Sequence, residues 1–109
     1  MSTTNAIQSN PFNNITIDID HVLIETQNSI LVYFEPDSSN HKSIKVFFNK
    51  KVCVLKSYWN KIVIGIKNDW DYSVFLIDNK DSNKPDNVIK GIDLYQLIID
   101  KYKNNLINF

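Results

Sequence analysis

Residues 92–109, IDLYQLIIDKYKNNLINF, are where the hydrophobic period of this chain changes, and that change decides the fold class. Ile92, Tyr95, Ile99, Tyr102 and Leu106 recur at helical spacing, and Ile98 widens the stripe. Asp93, Gln96, Asp100, Lys103 and Asn104 take the opposite side, the pattern of an amphipathic helix. Asp93 falls near the positive end of the helix dipole, and Lys101 and Lys103 fall near the negative end.

Everything upstream reads as β-structure. Ile62-Val63-Ile64-Gly65-Ile66 and Tyr72–Ile77 are strand-like, with Lys67-Asn68-Asp69-Trp70-Asp71 expected as a hairpin loop between them. Ser43–Phe48 and Lys51–Lys56 flank Asn49-Lys50 and suggest another hairpin, although the favoured glycine is missing from its second turn position. Ile30-Leu31-Val32-Tyr33-Phe34 is apolar on both faces, which suits a central strand. Residues 15–25 alternate up to Ile19 and then change phase to Val22 and Ile24, which a bulge near Asp20-His21 or a strand that passes from half-buried to fully buried would explain. Thr26–Ser29, Glu35–Asn40 and Asp78–Asp86 have the composition of turns and loops. The expected fold is therefore α+β: an antiparallel sheet of five to six strands with one C-terminal amphipathic helix packed on one face.

A chain of 109 residues fits one domain, placed at residues 15–109 behind a flexible polar tail at 1–14. Asn10-Pro11-Phe12 in that tail matches a short ligand motif for endocytic adaptor domains, a match that three residues also reach by chance. One cysteine, Cys53, cannot form an internal disulfide, and its apolar neighbours make it a packed thiol in a reducing compartment. The longest apolar runs are far too short for a membrane span, and the first residues do not read as a secretory signal. A cytoplasmic location without membrane association follows as the expectation. Arginine is absent, so bidentate contacts to phosphate or guanine are unavailable, which weighs against sequence-specific DNA reading.

Charge is segregated along the chain. Residues 1–41 carry five acids and no lysine, and residues 42–67 carry seven lysines and no acid. Residues 68–109 hold seven aspartates and five lysines, so the net charge of zero is a sum of opposed blocks. Such blocks must pair between distant strands or face a partner. Lys45, Lys50, Lys51, Lys56 and Lys61 interleave with Tyr58 and Trp59, a composition suited to docking an acidic protein through aromatic anchors. Lysine with exposed aromatic rings equally suits a nonspecific single-strand nucleic-acid platform. The plainer alternative is a solvated sheet face whose edge lysines guard against aggregation. Asp69-Trp70-Asp71 places a tryptophan between acids at an expected loop tip, where it either folds onto the core or meets another molecule.

Chemistry is less well represented. Asp18 and Asp20, two apart on an expected strand, could share a divalent cation, but they also suit cross-strand pairing with the lysines. His21 and His41 lack metal-pair spacing, and no glycine-rich phosphate loop exists. No cofactor, metal site or catalytic residue is expected. The reading is a non-enzymatic interaction domain acting by surface occlusion, comparable at the level of class to small immunity proteins and phage-encoded inhibitors. A nucleic-acid-binding domain using the same lysines is the alternative, and edge-to-edge homodimerisation is open.

Overall fold

In a computed structural model, residues 11–81 and 83–107 are described. Eight strands among them form two antiparallel sheets, and one α-helix follows. The strands are β1 (Phe12–Asp18), β2 (Val22–Glu25), β3 (Ser29–Phe34), β4 (Ile44–Asn49), β5 (Val54–Tyr58), β6 (Lys61–Lys67), β7 (Asp71–Leu76) and β8 (Asn87–Lys90). The helix α1 spans Gly91–Lys101. The smaller sheet has the order β1-β6-β5 and the larger the order β2-β3-β4-β7-β8. The α+β class, the antiparallel pairing and the single C-terminal helix are those expected from the sequence.

One core joins both sheets and the helix. Ile15, Ile17, Ile62, Ile64 and Ile66 come from the smaller sheet, and Val32, Phe34, Val46, Phe48 and Tyr72 from the larger. Leu94, Ile98 and Tyr102 close it from the C-terminal segment. Alternation along β1 and β4 places every second residue inward, as a sheet with one buried face demands. β3 is buried on both faces over Ile30–Val32, in keeping with its interior place between β2 and β4.

The structure corrects several local readings. Asn49-Lys50 does not turn β4 back onto β5. The Asn49 carbonyl accepts the N–H groups of Val52 and Cys53, and its side chain accepts that of Lys51. This wider bend carries the chain from the larger sheet to the smaller, where β5 pairs with β6. Nor is Lys67–Asp71 a hairpin loop: it crosses between sheets, because β6 and β7 belong to different ones. One short strand, β8, escaped notice because its mostly exposed residues leave no alternating signature, and β2, expected to continue β1 past the phase change, belongs instead to the other sheet. The phase change after Ile19 is a single 3-10 turn, Ile19–His21, and a register shift follows between Val22 and Ile24.

At the N-terminus, β1 begins at Phe12 rather than after residue 14, with Asn13 opposite Ile66 and Asn14 opposite Gly65. The Asn68 N–H donates to the Pro11 carbonyl oxygen, so Pro11-Phe12 is part of the fold; residues 1–10 of the proposed tail, Asn10 included, lie outside the described residues.

The helix is shorter than expected, and its buried face is rotated. Gly91, Leu94 and Ile98 point inward while Ile92 is 52% exposed. Gly91 sets that rotation: a Cβ there would lie 1.8 Å from the Lys67 carbonyl oxygen, so only glycine admits this approach. Lys103 and Asn104 donate their backbone N–H groups to the Asp37 carboxylate, diverting the chain into a 3-10 turn, Lys103–Asn105.

Candidate functional site

The expected lysine–aromatic grouping divides between opposite ends of β6. At its start, β5 and β6 meet in a tight hairpin in which Tyr58 faces Lys61 across Trp59-Asn60. Trp59 has φ 57°, the only positive φ at a non-glycine residue among those described, and its side chain is fully exposed. A two-residue loop with positive φ at its first residue and not at its second belongs to the type II′ geometry, whose first position normally selects glycine. A bulky residue there is an outlier that calls for a reason. The Asn60 carbonyl accepts the Ile19 N–H at 2.7 Å, so the tip is tied to the rest of the domain.

On the outer face of the smaller sheet, directly opposed residues form rows. One row is Asp18–Lys61–Tyr58, so an acid of the first block does face a lysine of the second, as the segregated charges suggested. The next row is Thr16–Val63–Lys56, in which Lys56 meets no carboxylate. Lys56 and Lys51 are exposed and have no ion pair among the described residues.

Lys45, Lys50 and Lys67 are engaged. Lys50 pairs with Glu25 at 2.7 Å, and Lys45 donates to the Asn79 carbonyl at 3.0 Å. At the far end of β6, Lys67 sits 3.5 Å from Asp69, and Asp71 pairs with Lys90 at 2.8 Å. Trp70 lies at that end, 41% exposed, in a groove with Phe47, Phe75 and Pro85. Seven residues of β6 separate it from the hairpin, about 20 Å at strand rise. Trp59 and Trp70 therefore do not form one anchor pair.

Asp18 and Asp20 are not side by side. The strand ends at Asp18, and its carboxylate accepts the Asp20 N–H at 3.0 Å as the cap of the 3-10 turn. His21 Nδ1 lies 2.8 Å from the Tyr33 carbonyl oxygen, and its ring stacks on Tyr33. Among the described residues no three His, Cys, Asp or Glu side chains converge to hold a metal ion. Cys53 is buried with Sγ 3.3 Å from the Tyr72 hydroxyl, and burial pushes its thiol up, away from the thiolate. Tyr72 is likewise pushed up by burial, and its hydroxyl accepts the Lys67 N–H. No helix of the described residues is long and apolar enough to cross a membrane.

Sequence reasoning missed two apolar features. One is the outer face of the larger sheet, where Phe47 and Phe75 meet edge to face at 5.7 Å beside Leu31, Ile24 and Ile77. Its signal was present in the two-sided apolar run of β3 and in the Phe47-Phe48 doublet. The other is a groove of about 570 Å³ where the two sheets part, floored by Ile30, Leu55 and Ile62 and rimmed by Leu23 and Ile24. Leu23 and Ile24 are about half exposed. It runs between β2 and β5, each the last strand of its sheet, and so could not be read before the sheet order was known.

No protein-family model matches the chain, and no curated protein or solved structure is detectably similar to it.

Proposed function

We propose that this chain is a non-enzymatic protein-binding domain, a small cytoplasmic inhibitor that works by occluding a surface of its partner. The β5–β6 hairpin is its contact element. What supports the reading most is Trp59, fully exposed and held at φ 57° where glycine would sit without strain. A large apolar ring in water gains nothing for the isolated domain, whereas a partner's pocket would bury it. Tyr58 beside it is 47% exposed, and Lys56 and Lys61 give the tip a basic fringe suited to an acidic partner. Asp69, Trp70 and Asp71, at the other end of β6, fall outside this contact.

The test is affinity capture from source-cell lysate, with and without nuclease, comparing the wild type with Trp59→Ala and Trp70→Ala. One stoichiometric protein that survives nuclease, is lost with Trp59→Ala and is kept with Trp70→Ala is the expected result. The truncation should cost about 2 kcal/mol or more of binding, the range of an interface anchor. Capture that is indifferent to Trp59 overturns the assignment. The same adjacency of lysines and exposed rings favours one other reading, a nonspecific single-strand nucleic-acid surface. That reading requires capture to vanish with nuclease and oligonucleotide affinity to fall steeply with salt.

A further inference from the structure

The hairpin that carries Trp59 also supplies an open sheet edge. We infer that β5 is a β-augmentation site, which accepts an extended, acidic, apolar-alternating segment of a partner protein along the groove between the two sheets. This rests on the protein-binding reading above and gives that partner a chemistry and a mode of docking.

The backbone geometry fixes which groups are available. Tyr58 and Lys61 close a two-residue turn, so they are a hydrogen-bonded pair. Alternation along an antiparallel ladder then makes Lys56–Val63 and Val54–Gly65 hydrogen-bonded as well. The N–H and C=O groups of Leu55 and Ser57 therefore point away from β6. Among the described residues no strand lies on that side of β5. The opposite edge of the same sheet is closed: Ile17 bridges to Leu106, and the Ile107 N–H donates to the Thr16 carbonyl at 2.8 Å. One edge is covered by the chain's own C-terminal segment, and the other is left for an occupant.

Side chains say what that occupant carries. Leu55 and Ser57 share the inner face with Ile62 and line the groove, so alternate residues of an added strand would lie over an apolar floor. The intervening residue would stand beside Lys56, on the outer face, in the row Thr16–Val63–Lys56 that lacks an acid. A carboxylate there completes the row, as Asp18 does for Lys61. A second copy of this chain is a poorer fit. Antiparallel pairing of β5 with itself over its full length puts Lys56 opposite Lys56, and like charges directly opposed destabilise a ladder.

The probes are fluorescein-labelled peptides of about seven residues, one alternating valine with glutamate and a control alternating valine with lysine. The purified full chain is titrated with each, and backbone amides are followed by NMR. The glutamate peptide is expected to bind and to protect the Leu55 and Ser57 amides from exchange, with the lysine peptide at least tenfold weaker. Ser57→Pro removes an outward N–H while leaving every β5–β6 ladder bond in place, and is expected to weaken the glutamate peptide at least tenfold with the native spectrum retained. Lys56→Glu is expected to reverse the preference between the peptides. Failure of both peptides to bind, equal binding of the two, binding unaltered by Ser57→Pro, or protection of those amides by concentration-dependent self-association instead would each overturn the inference. Peptide binding that survives Trp59→Ala but not Ser57→Pro supports the edge even where the Trp59 contact fails, so the two proposals fall separately.

Discussion

At Trp59 the backbone adopts φ 57°, and nothing the side chain touches within the domain compensates for it, because the ring is fully exposed. Holding a residue with a Cβ at such a sparsely populated positive φ costs on the order of 1–3 kcal/mol. Trp59→Gly is therefore expected to stabilise the domain by up to about 1 kcal/mol, once glycine's greater freedom in the unfolded chain is set against the relief of strain. The same substitution should abolish partner capture. Chemical denaturation alongside the capture assay reads both effects, and a Trp59→Gly protein that is less stable would show that the indole packs on something after all. The turn itself was not legible in the sequence, since no glycine marks the positive φ at Trp59.

The elements owe their orientation to contacts that cross between them. Helix α1 begins where the Gly91 N–H donates to the Trp70 carbonyl at 2.8 Å and the Ile92 N–H to the Asn68 carbonyl at 3.1 Å. Its first turn lies directly against the Lys67 carbonyl, at a separation that excludes a Cβ. In most helices glycine is the weaker choice and alanine would stabilise. Here the sign is reversed: Gly91→Ala is expected to cost about 1–3 kcal/mol, because the helix must shift away from β6. Thermal unfolding measures this, and a rise in Tm would refute the close approach. The helical period was plain in the sequence, yet the face it buries was read one residue away from the true one. A contact with a carbonyl from a distant turn leaves no mark on hydrophobic spacing.

Across the whole molecule, the C-terminal segment holds the two sheets and the helix in one arrangement. The Asn105 amide is buried; it accepts the Glu35 N–H at 3.0 Å and donates to the Glu35 and Tyr102 carbonyls, both at 2.7 Å. Asp37 receives the Lys103 and Asn104 N–H groups next to it, and Leu106 and Ile107 then cover the edge of β1. Asn105→Ala leaves the Glu35 backbone groups without these partners and should cost about 2–3 kcal/mol. Amide exchange at Ile107 should accelerate in that variant by more than exchange in the central strands β3 and β4. Uniform acceleration would mean that the clasp and the core open together.

The sequence by itself determined the α+β class, the β character of the chain before residue 91, the buried inert place of Cys53 and the segregation of charge. These follow from composition and local periodicity, which each stretch of chain carries within itself. Tertiary structure alone decided that the strands divide between two sheets, that β4 and β5 separate instead of forming a hairpin, and that Trp59 and Trp70 stand at opposite ends of β6. It also decided which lysines are matched, Lys50 by Glu25 and Lys67 by Asp69, and which are left facing outward, Lys51 and Lys56. An apolar strand fits either sheet equally well by its own pattern. Its neighbours, its register and therefore its free edge are settled only by residues far away in the chain, which is why the candidate interface at β5 became visible only in the folded molecule.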